Sequence, residues 1–438
     1  MATAIQLTHH EVQGLCQNYL RDNYEPESIA AEKNFKLNVI RYKLNPISDS
    51  PSGFLGHHRF LVVDVHMEKN GRIEINKIRF FIKAAPAEIA SRMEYIEEFG
   101  VFKKEIVVCR DVLPKLQDIF AGVAPKCYYA DNNLLVFEDL QYRGYRMAAA
   151  RDGLLDYKHL QCALKSLAAM HAASIVFELR EKRTIVDIFP EAVIENAYPA
   201  LPLPPEHVRY QNFANGVEVF LELIKQMPKY HSHMDVIQEQ LYPKMSTIFK
   251  LAQTSKHFLN VFSHADLWAN NIMFAYDKSN EIPIQCRFVD YQLARYAPPM
   301  LDVITILTIP TSREFRSKHL MDLLGDYYRY MGEFLLREQL LIEDFLSPKE
   351  FWQTFEEYRI CGLIESCLFS HLTILPPSLT QSLTSSTDGF SDFFNRKRVD
   401  LCLAAFKSDQ IYRERLSDML EDVVDNYILN NANGMSQD

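Results

Sequence analysis

Phe262-Ser263-His264-Ala265-Asp266-Leu267-Trp268-Ala269-Asn270-Asn271 is the stretch on which the fold turns, and nineteen residues after Asn271 stands Asp290, within Val289-Asp290-Tyr291-Gln292. An aspartate, an asparagine five residues on and a second aspartate at the end of a short hairpin supply what phosphoryl transfer asks of a protein. An acceptor hydroxyl wants a carboxylate that can take its proton, a role suited to Asp266. The transferring phosphate wants a divalent metal held by hard oxygen donors, which suits the Asn271 amide and the Asp290 carboxylate. Five residues of loop let Asp266 and Asn271 face one cleft while Asn271 starts the next strand. The hairpin Asn271–Ala275 and Gln285–Asp290 then returns Asp290 beside them. Taken alone, the first motif is equally a pair of loop carboxylates capping nearby backbone. The spacing to Asp290 favours the chemical reading.

An upstream half supplies the remaining parts. Phe80-Phe81-Ile82-Lys83-Ala84-Ala85-Pro86 sets a lysine inside an apolar strand, where an ammonium without a partner is costly to desolvate. An exposed lysine on an edge strand is the alternative for this residue read alone. On the strand after the Asn70-Gly71 hairpin, and followed by a helix bearing Glu105, Lys83 fits a phosphate-binding lysine with a helical carboxylate partner. Glu94, Glu97 and Glu98 compete with Glu105 for that partnership. Ser52-Gly53-Phe54-Leu55-Gly56 is the candidate phosphate-covering turn, although two glycines three apart also suit an ordinary β-turn. Val136-Phe137-Glu138-Asp139-Leu140 ends the sheet where the backbone of Glu138, Asp139 and Leu140 can bond adenine.

Periodicity organises the rest. Thr8-His9-His10-Glu11 has capping-box spacing, and Val12, Leu15, Cys16, Tyr19 and Leu20 follow on one helical face. From Phe35 the period becomes two, with Phe60–Met67 and Arg72–Ala84 repeating the strand signal. A helix is expected from about Glu88 to Val112, ending before Pro114. Cys127–Tyr129 and Leu134–Phe137 make two more strands, joined at Asp131-Asn132-Asn133. Thereafter helices dominate: 157–179, 214–227 and 234–252, then a long helical C-terminal part in which Ser378–Gly389 reads as a loop. Five prolines in 190–209 mark a loop or boundary. Strands clustered between 35 and 140 with helices afterwards imply two segregated lobes and a cleft between them.

Composition narrows the class. The 438 residues are 48% apolar and 24% charged, as in soluble globular proteins, with 47 basic residues against 57 acidic ones. A net charge of −10 offers no basic field for nucleic acid. Met1–Leu7 lacks a secretory signal pattern, and Val303–Ile309, among the longest apolar stretches, is far short of the ~20 residues of a spanning helix. Eight scattered cysteines without a C-x-x-C pair read as thiols of a reducing compartment, so a cytoplasmic location is expected. His231-Ser232-His233 lacks a third metal ligand nearby and reads as a polar loop. His171 reads as a core brace, His264 as an organiser of the catalytic loop, Asp302 as a structural hydrogen-bonding group and Arg146 as a surface arginine near the cleft.

His264–Phe274 with Phe288–Gln292, Lys83, Phe102-Lys103-Lys104-Glu105, Phe137-Glu138-Asp139-Leu140 and Leu167–Ser174 resemble the insect ecdysteroid kinase-like (CHK kinase-like) family, within the group of choline kinases and aminoglycoside phosphotransferases. The resemblance spans roughly residues 35–345. Trp268, Asn270-Asn271 and the Asp290-Tyr291-Gln292 triplet carry the family assignment. Two departures stand out: Ala265 where the family usually has glycine, and Tyr291 where it usually has phenylalanine. Neither removes a charge or a metal ligand.

These readings converge on an α+β, bilobal protein kinase-like fold. It comprises an N-terminal helical extension (1–34), a small antiparallel sheet lobe with one packed helix (35–140), a large mainly helical lobe (141–429) and a disordered tail (430–438). The expected reaction moves the ATP γ-phosphoryl group, with Mg2+, to a hydroxyl of a small molecule. Asp266 is the base or hydroxyl orienter, Asn271 and Asp290 hold metal, and Lys83 contacts phosphates. Segment 145–255 and the C-terminal helices build the acceptor side. The resemblance implies steroid-like alcohols such as ecdysteroids, or xenobiotic alcohols. The alternative is a catalytically degenerate, kinase-shaped protein that binds a lipophilic ligand. Pro298-Pro299 and Asp302 follow Asp290 too closely to leave room for the activation segment of a kinase acting on proteins.

Overall fold

The structure, a computed structural model, describes residues 5, 7–23, 36–47, 56–69, 72–85, 90–131, 134–148, 152–279, 281–384, 389, 393 and 397–430. The Asn70-Gly71 turn, Pro86, Ser52–Leu55, Asn132-Asn133 and the tail after Asn430 lie outside these residues.

Five strands form an antiparallel sheet in the order β1-β2-β3-β5-β4: β1 (Lys36–Pro46), β2 (His57–Lys69), β3 (Arg72–Ala84), β4 (Cys127–Asp131) and β5 (Leu134–Glu138). Lys83 is therefore on the central strand, paired with His58 of β2 and Leu135 of β5, which removes the edge-lysine alternative. Alternation along β3 divides its side chains between two faces. Phe80 and Ile82 join Val12, Leu15, Cys16 and Leu20 of the helix His9–Asn23 in one apolar cluster. Phe81 and Lys83 look the other way, into the cleft. The first helix starts as the sequence indicates: Glu11 N–H donates to Thr8 Oγ1 at 3.2 Å while Thr8 N–H donates to Glu11 Oε2 at 2.7 Å.

The helix expected over Glu88–Val112 is broken and longer. Ala90–Phe99 ends at Gly100, whose φ of +62° is left-handed, and Val101–Val107 begins a new axis. A π-turn over Val108–Val112 then leads directly into Leu113–Gln117, so Pro114 does not end the helix. Proline is tolerated there because it falls in a first turn, where its missing N–H has no helical role.

The second lobe is built around the Tyr157–Glu181 helix, capped by Asp156, which accepts from His159 N–H at 2.9 Å. It is the one helix among the described residues long and apolar enough to cross a membrane, and 78% of its apolar window is buried within the protein. Arg313–Arg337 and Met300–Thr308 pack against it, Pro348–Thr373 packs on Met300–Thr308, and Val208–Ile224 meets Pro348–Thr373, in one continuous core. Strands β6 (Arg146–Met147), β7 (Val261–Ser263), β8 (Ile272–Tyr276), β9 (Pro283–Phe288) and β10 (Arg295–Ala297) make two small sheets, β6-β8-β9 and β10-β7, on the cleft side. The Ser/Thr-rich segment expected as a loop is helical over Pro377–Thr384. Leu379 and Leu383 pack onto the core, and the Thr380 and Ser382 hydroxyls bond back to carbonyls of their own helix, which relieves their preference for turns.

Candidate active site

Strand β7 delivers the chain into the 264–271 loop, and β8 carries it away. Asn271 donates from its amide nitrogen to the Asp266 carbonyl and to Asp266 Oδ2, both at 2.9 Å, so the five-residue spacing closes on itself. The β8–β9 hairpin, with Ile272 opposite Phe288, then brings Asp290 alongside. Lys83 Nζ crosses the cleft to Asp290 Oδ1 at 2.7 Å and also meets Glu105 Oε2 at 2.6 Å. Glu94, Glu97 and Glu98 are exposed, which settles the choice of helical carboxylate on Glu105. The π-turn and the break at Gly100 leave Glu105 on the short Val101–Val107 segment, facing β3.

These contacts set the charges. Burial works against the Lys83 ammonium, but Asp290 and Glu105 more than reverse it, and the proton is held above the ordinary lysine value. Burial raises the Glu105 carboxyl to about 7, with Lys83 opposing and the Asp290 charge adding to the rise. Asp266 is pushed well above the usual carboxylate range by burial first and by Asp290 second, while the Asn271 amide pulls it down.

The loop is held from behind. Asp302, in the first turn of Met300–Thr308, accepts from His264 N–H at 2.6 Å and from Ala265 N–H at 2.8 Å. His171 lies 3.2 Å from the same carboxylate and 2.7 Å from the Tyr327 hydroxyl, so it braces the core. Burial alone would raise the Asp302 carboxyl, yet these donors keep it below its ordinary value. His264 Nε2 donates to the Val289 carbonyl at 3.0 Å, and its Nδ1 receives Asp266 N–H at 3.2 Å. Burial lowers the pKa of that ring, consistent with a neutral imidazole doing both jobs and tying the two motifs together.

The end of β5 holds a different arrangement. Glu138 pairs with Arg287 and Arg143 and accepts Lys126 N–H, while Asp139 lies 2.8 Å from Arg79 and caps Gln141. Leu140 is buried with Tyr145 and Met273. Both carboxylates are thus committed within the protein, as are the Glu138 N–H, which donates to the Lys126 carbonyl, and the Asp139 and Leu140 carbonyls, which accept from the Arg143 and Tyr145 N–H groups.

A divalent cation fits the donor set. Because Asn271 uses its nitrogen on Asp266, its Oδ1 is the atom left for a cation, and Asp290 adds a carboxylate beyond the oxygen that Lys83 holds. All-oxygen donors suit a hard ion such as Mg2+. The remaining ligands of such an ion would come from phosphate and solvent.

The cleft has a volume of about 510 Å3 and runs from Lys83 and the end of β5, past Asp266, into the helical lobe. There Tyr198, Phe213, Trp268, Leu368, Phe369 and Leu372 form a largely apolar wall. Sequence reading placed the acceptor side in 145–255 and the C-terminal helices but named none of these except Trp268. Phe213, Leu368, Phe369 and Leu372 lie on apolar helical faces, which read as core until the helices are assembled, and Tyr198 lies in the proline-rich connection.

The model of the ecdysteroid kinase-like family matches residues 59–340. The chain belongs to that family. Family membership supports a small-molecule kinase-like function and phosphotransferase chemistry. Among solved structures, a point mutant of aminoglycoside 2'-phosphotransferase-IIIa in complex with GDP aligns over 95% of this chain and 98% of its own, at 10% identity and a TM-score of 0.40. A search of curated proteins finds no match. This ecdysteroid kinase-like chain accommodates both of its departures from the family pattern. Ala265 adopts φ +65°, the left-handed conformation for which the usual glycine is suited, and Asp302 holds it there. Tyr291 keeps the aromatic position, 4.4 Å from the His264 ring, and its hydroxyl points to the Val123 carbonyl at 3.4 Å.

Proposed function

We propose that the protein is an ATP- and Mg2+-dependent phosphotransferase that phosphorylates a hydroxyl of a small, largely apolar alcohol, of the ecdysteroid-like or xenobiotic kind. The observation that carries this reading is the contact between Lys83 of the sheet lobe and Asp290 of the helical lobe, 207 positions apart in sequence and 2.7 Å apart in space, beside Asp266 and Asn271. Lys83 would bind the α- and β-phosphates, with Glu105 holding its side chain in place. Asn271 and Asp290 would hold Mg2+, which when bound neutralises charge on the phosphates. Asp266 would orient the acceptor hydroxyl and take its proton as the oxygen attacks phosphorus and ADP leaves. Raised proton affinity suits this role, since a carboxylate that binds protons more tightly is the stronger base. The apolar wall beyond Asp266 supports a lipophilic acceptor. Eight free cysteines, six of them buried, fit a cytoplasmic setting.

The test is to incubate the purified protein with ATP, Mg2+ and a panel of hydroxylated small molecules. Acceptor-dependent ADP release with a phosphorylated product is expected. Tight binding of panel members without any ATP consumption would instead establish the kinase-shaped binding protein.

A further inference from the structure

Lys104 precedes Glu105 on the Val101–Val107 helix, and no step of the proposed reaction uses it. It is buried, 3% exposed, and it does not line the cleft. Its Nζ donates to the Ala294 carbonyl at 2.8 Å and to Asn196 Oδ1 at 2.7 Å. Ala294 closes the turn that leaves Asp290, its N–H donating to the Tyr291 carbonyl at 3.1 Å. At the other end of that turn the Tyr291 N–H faces the Glu105 carboxyl and lowers its pKa. Two neighbouring residues of one helix thus grip the two ends of the Tyr291–Ala294 turn.

That turn needs holding. Asp290 stands at φ +69°, a left-handed conformation that a residue with a Cβ keeps only where its surroundings fix it. Lys83 fixes the carboxylate, and the Lys104 contact fixes the backbone four residues on. Asn196 extends the grip to a third piece. Its amide donates to the Phe99 carbonyl at 2.8 Å, beside the break at Gly100, and it stands between Glu195 and the Ala197-Tyr198 pair that lines the cleft. Glu195 accepts the Ala197 and Tyr198 N–H groups, both at 2.7 Å, and lies 3.0 Å from Arg295. Burial lowers the Lys104 pKa to about 7; Glu195 opposes the fall, and the Arg295 and Arg209 charges add to it. An apolar side chain of the same length would fill this space without that desolvation, so the cation serves its contacts and not the packing.

We propose that Lys104 is the positioning residue that sets the nucleotide site against the acceptor wall: it holds the Glu105 helix, the turn after Asp290 and the connection bearing Tyr198 in one frame. It touches neither substrate and acts through Glu105 and Asp290. This rests on the phosphotransferase reading for the nucleotide that those two carboxylates serve.

The experiment measures Mg2+-dependent ATP affinity by calorimetry on the full-length parent, Lys104→Met, Glu105→Gln and the double variant. Methionine keeps the length of the lysine stem and has neither charge nor donor. Lys104→Met should lose on the order of tenfold in ATP affinity. Because Lys104 acts through Glu105, the loss in the double variant should fall well short of the product of the two single losses, whereas a residue that only supports the fold gives losses that multiply. Hydrogen exchange on the parent needs no variant to fold: Mg2+ with ATP should slow exchange in 101–107, 290–297 and 195–198 together. Unchanged ATP affinity in Lys104→Met, losses that multiply, or slowing that leaves 195–198 untouched would overturn the proposal. The two readings fail separately: ATP affinity that depends on Lys104 without any acceptor turnover ends the phosphotransferase reading alone, whereas turnover with an affinity indifferent to Lys104 ends this one alone. A parent that binds no ATP in the presence of Mg2+ ends both.

Discussion

Ala265 shows how much a single residue can carry at this site. A residue with a Cβ in the left-handed region is strained by roughly 1–2 kcal/mol, and replacing it by glycine gives back ~0.5–1 kcal/mol through the freer unfolded chain. Ala265→Gly should therefore stabilise the protein by about 0.5–1 kcal/mol with turnover retained, which thermal unfolding of the two proteins will measure. A lower melting temperature would mean that the Ala265 methyl group, buried at the loop, contributes packing worth more than the strain. His371, buried on the Pro348–Thr373 helix, gives a second expectation at this scale. Burial, with the Arg398 charge adding to it, lowers its folded pKa from 6.5 to about 3, so the unfolded chain binds the extra proton first. Stability is thus fully present above pH 6.5 and is lost as pH falls toward 3, by about 2 kcal/mol at pH 5. Denaturant unfolding at pH 7 and pH 5 should show His371→Phe losing about 2 kcal/mol less than the parent over that interval. The same loss in both proteins would show that His371 is not buried neutral. Residue-level reading found Lys83, Glu105, Asp266, Asn271 and Asp290 because their chemistry is tied to fixed spacings. It assigned Lys104 no role, since one of two neighbouring lysines on a helix carries no sign of being buried.

Among the elements, the short Met300–Thr308 helix positions the loop that holds Asp266. Asp302 in its first turn serves two backbone amides and His171 together, and Gly362 lets the Pro348–Thr373 helix approach its backbone so closely that a Cβ there would lie 2.8 Å from the Ile304 carbonyl. Asp302→Ala would leave those buried donors unpaired. The expected cost is about 3–5 kcal/mol in unfolding free energy, with loss of turnover even at temperatures where the variant stays folded. A variant as stable and active as the parent would show that the loop is fixed elsewhere. The elements themselves were legible where periodicity and caps agreed. Thr8 and Glu11 start the first helix, and β3 occupies Arg72–Ala84 as its alternation indicates. Reading failed where one signal stood in for the whole environment. Pro114 reads as a stop in sequence, yet a π-turn places it in a first helical turn, and the Ser/Thr content of 378–384 conceals Leu379 and Leu383, whose packing onto the core favours a helix there.

Across the whole molecule, the site exists only because the sheet lobe and the helical lobe meet. One face of the sheet shares an apolar cluster with the first helix, the core of the helical lobe runs on through Phe99, Phe102, Leu135 and Phe137 of the sheet lobe, and the Lys83–Asp290 contact spans the cleft. The presence of both halves was legible, because each has a motif. The acceptor wall was not, because Tyr198, Phe213 and Phe369 come from segments that become neighbours only after folding. The central claim is that this joined site transfers phosphate to an alcohol, with Asp266 acting on the acceptor and Asp290 on the metal–nucleotide. The most direct test measures acceptor-dependent turnover and Mg2+-dependent ATP affinity side by side for the parent, Asp266→Asn and Asp290→Asn. Asp266→Asn should lose ~10²–10⁴ in turnover while keeping its ATP affinity, and Asp290→Asn should lose both. Near-normal turnover in Asp266→Asn, or unchanged Mg2+-dependent ATP affinity in Asp290→Asn, would contradict the account.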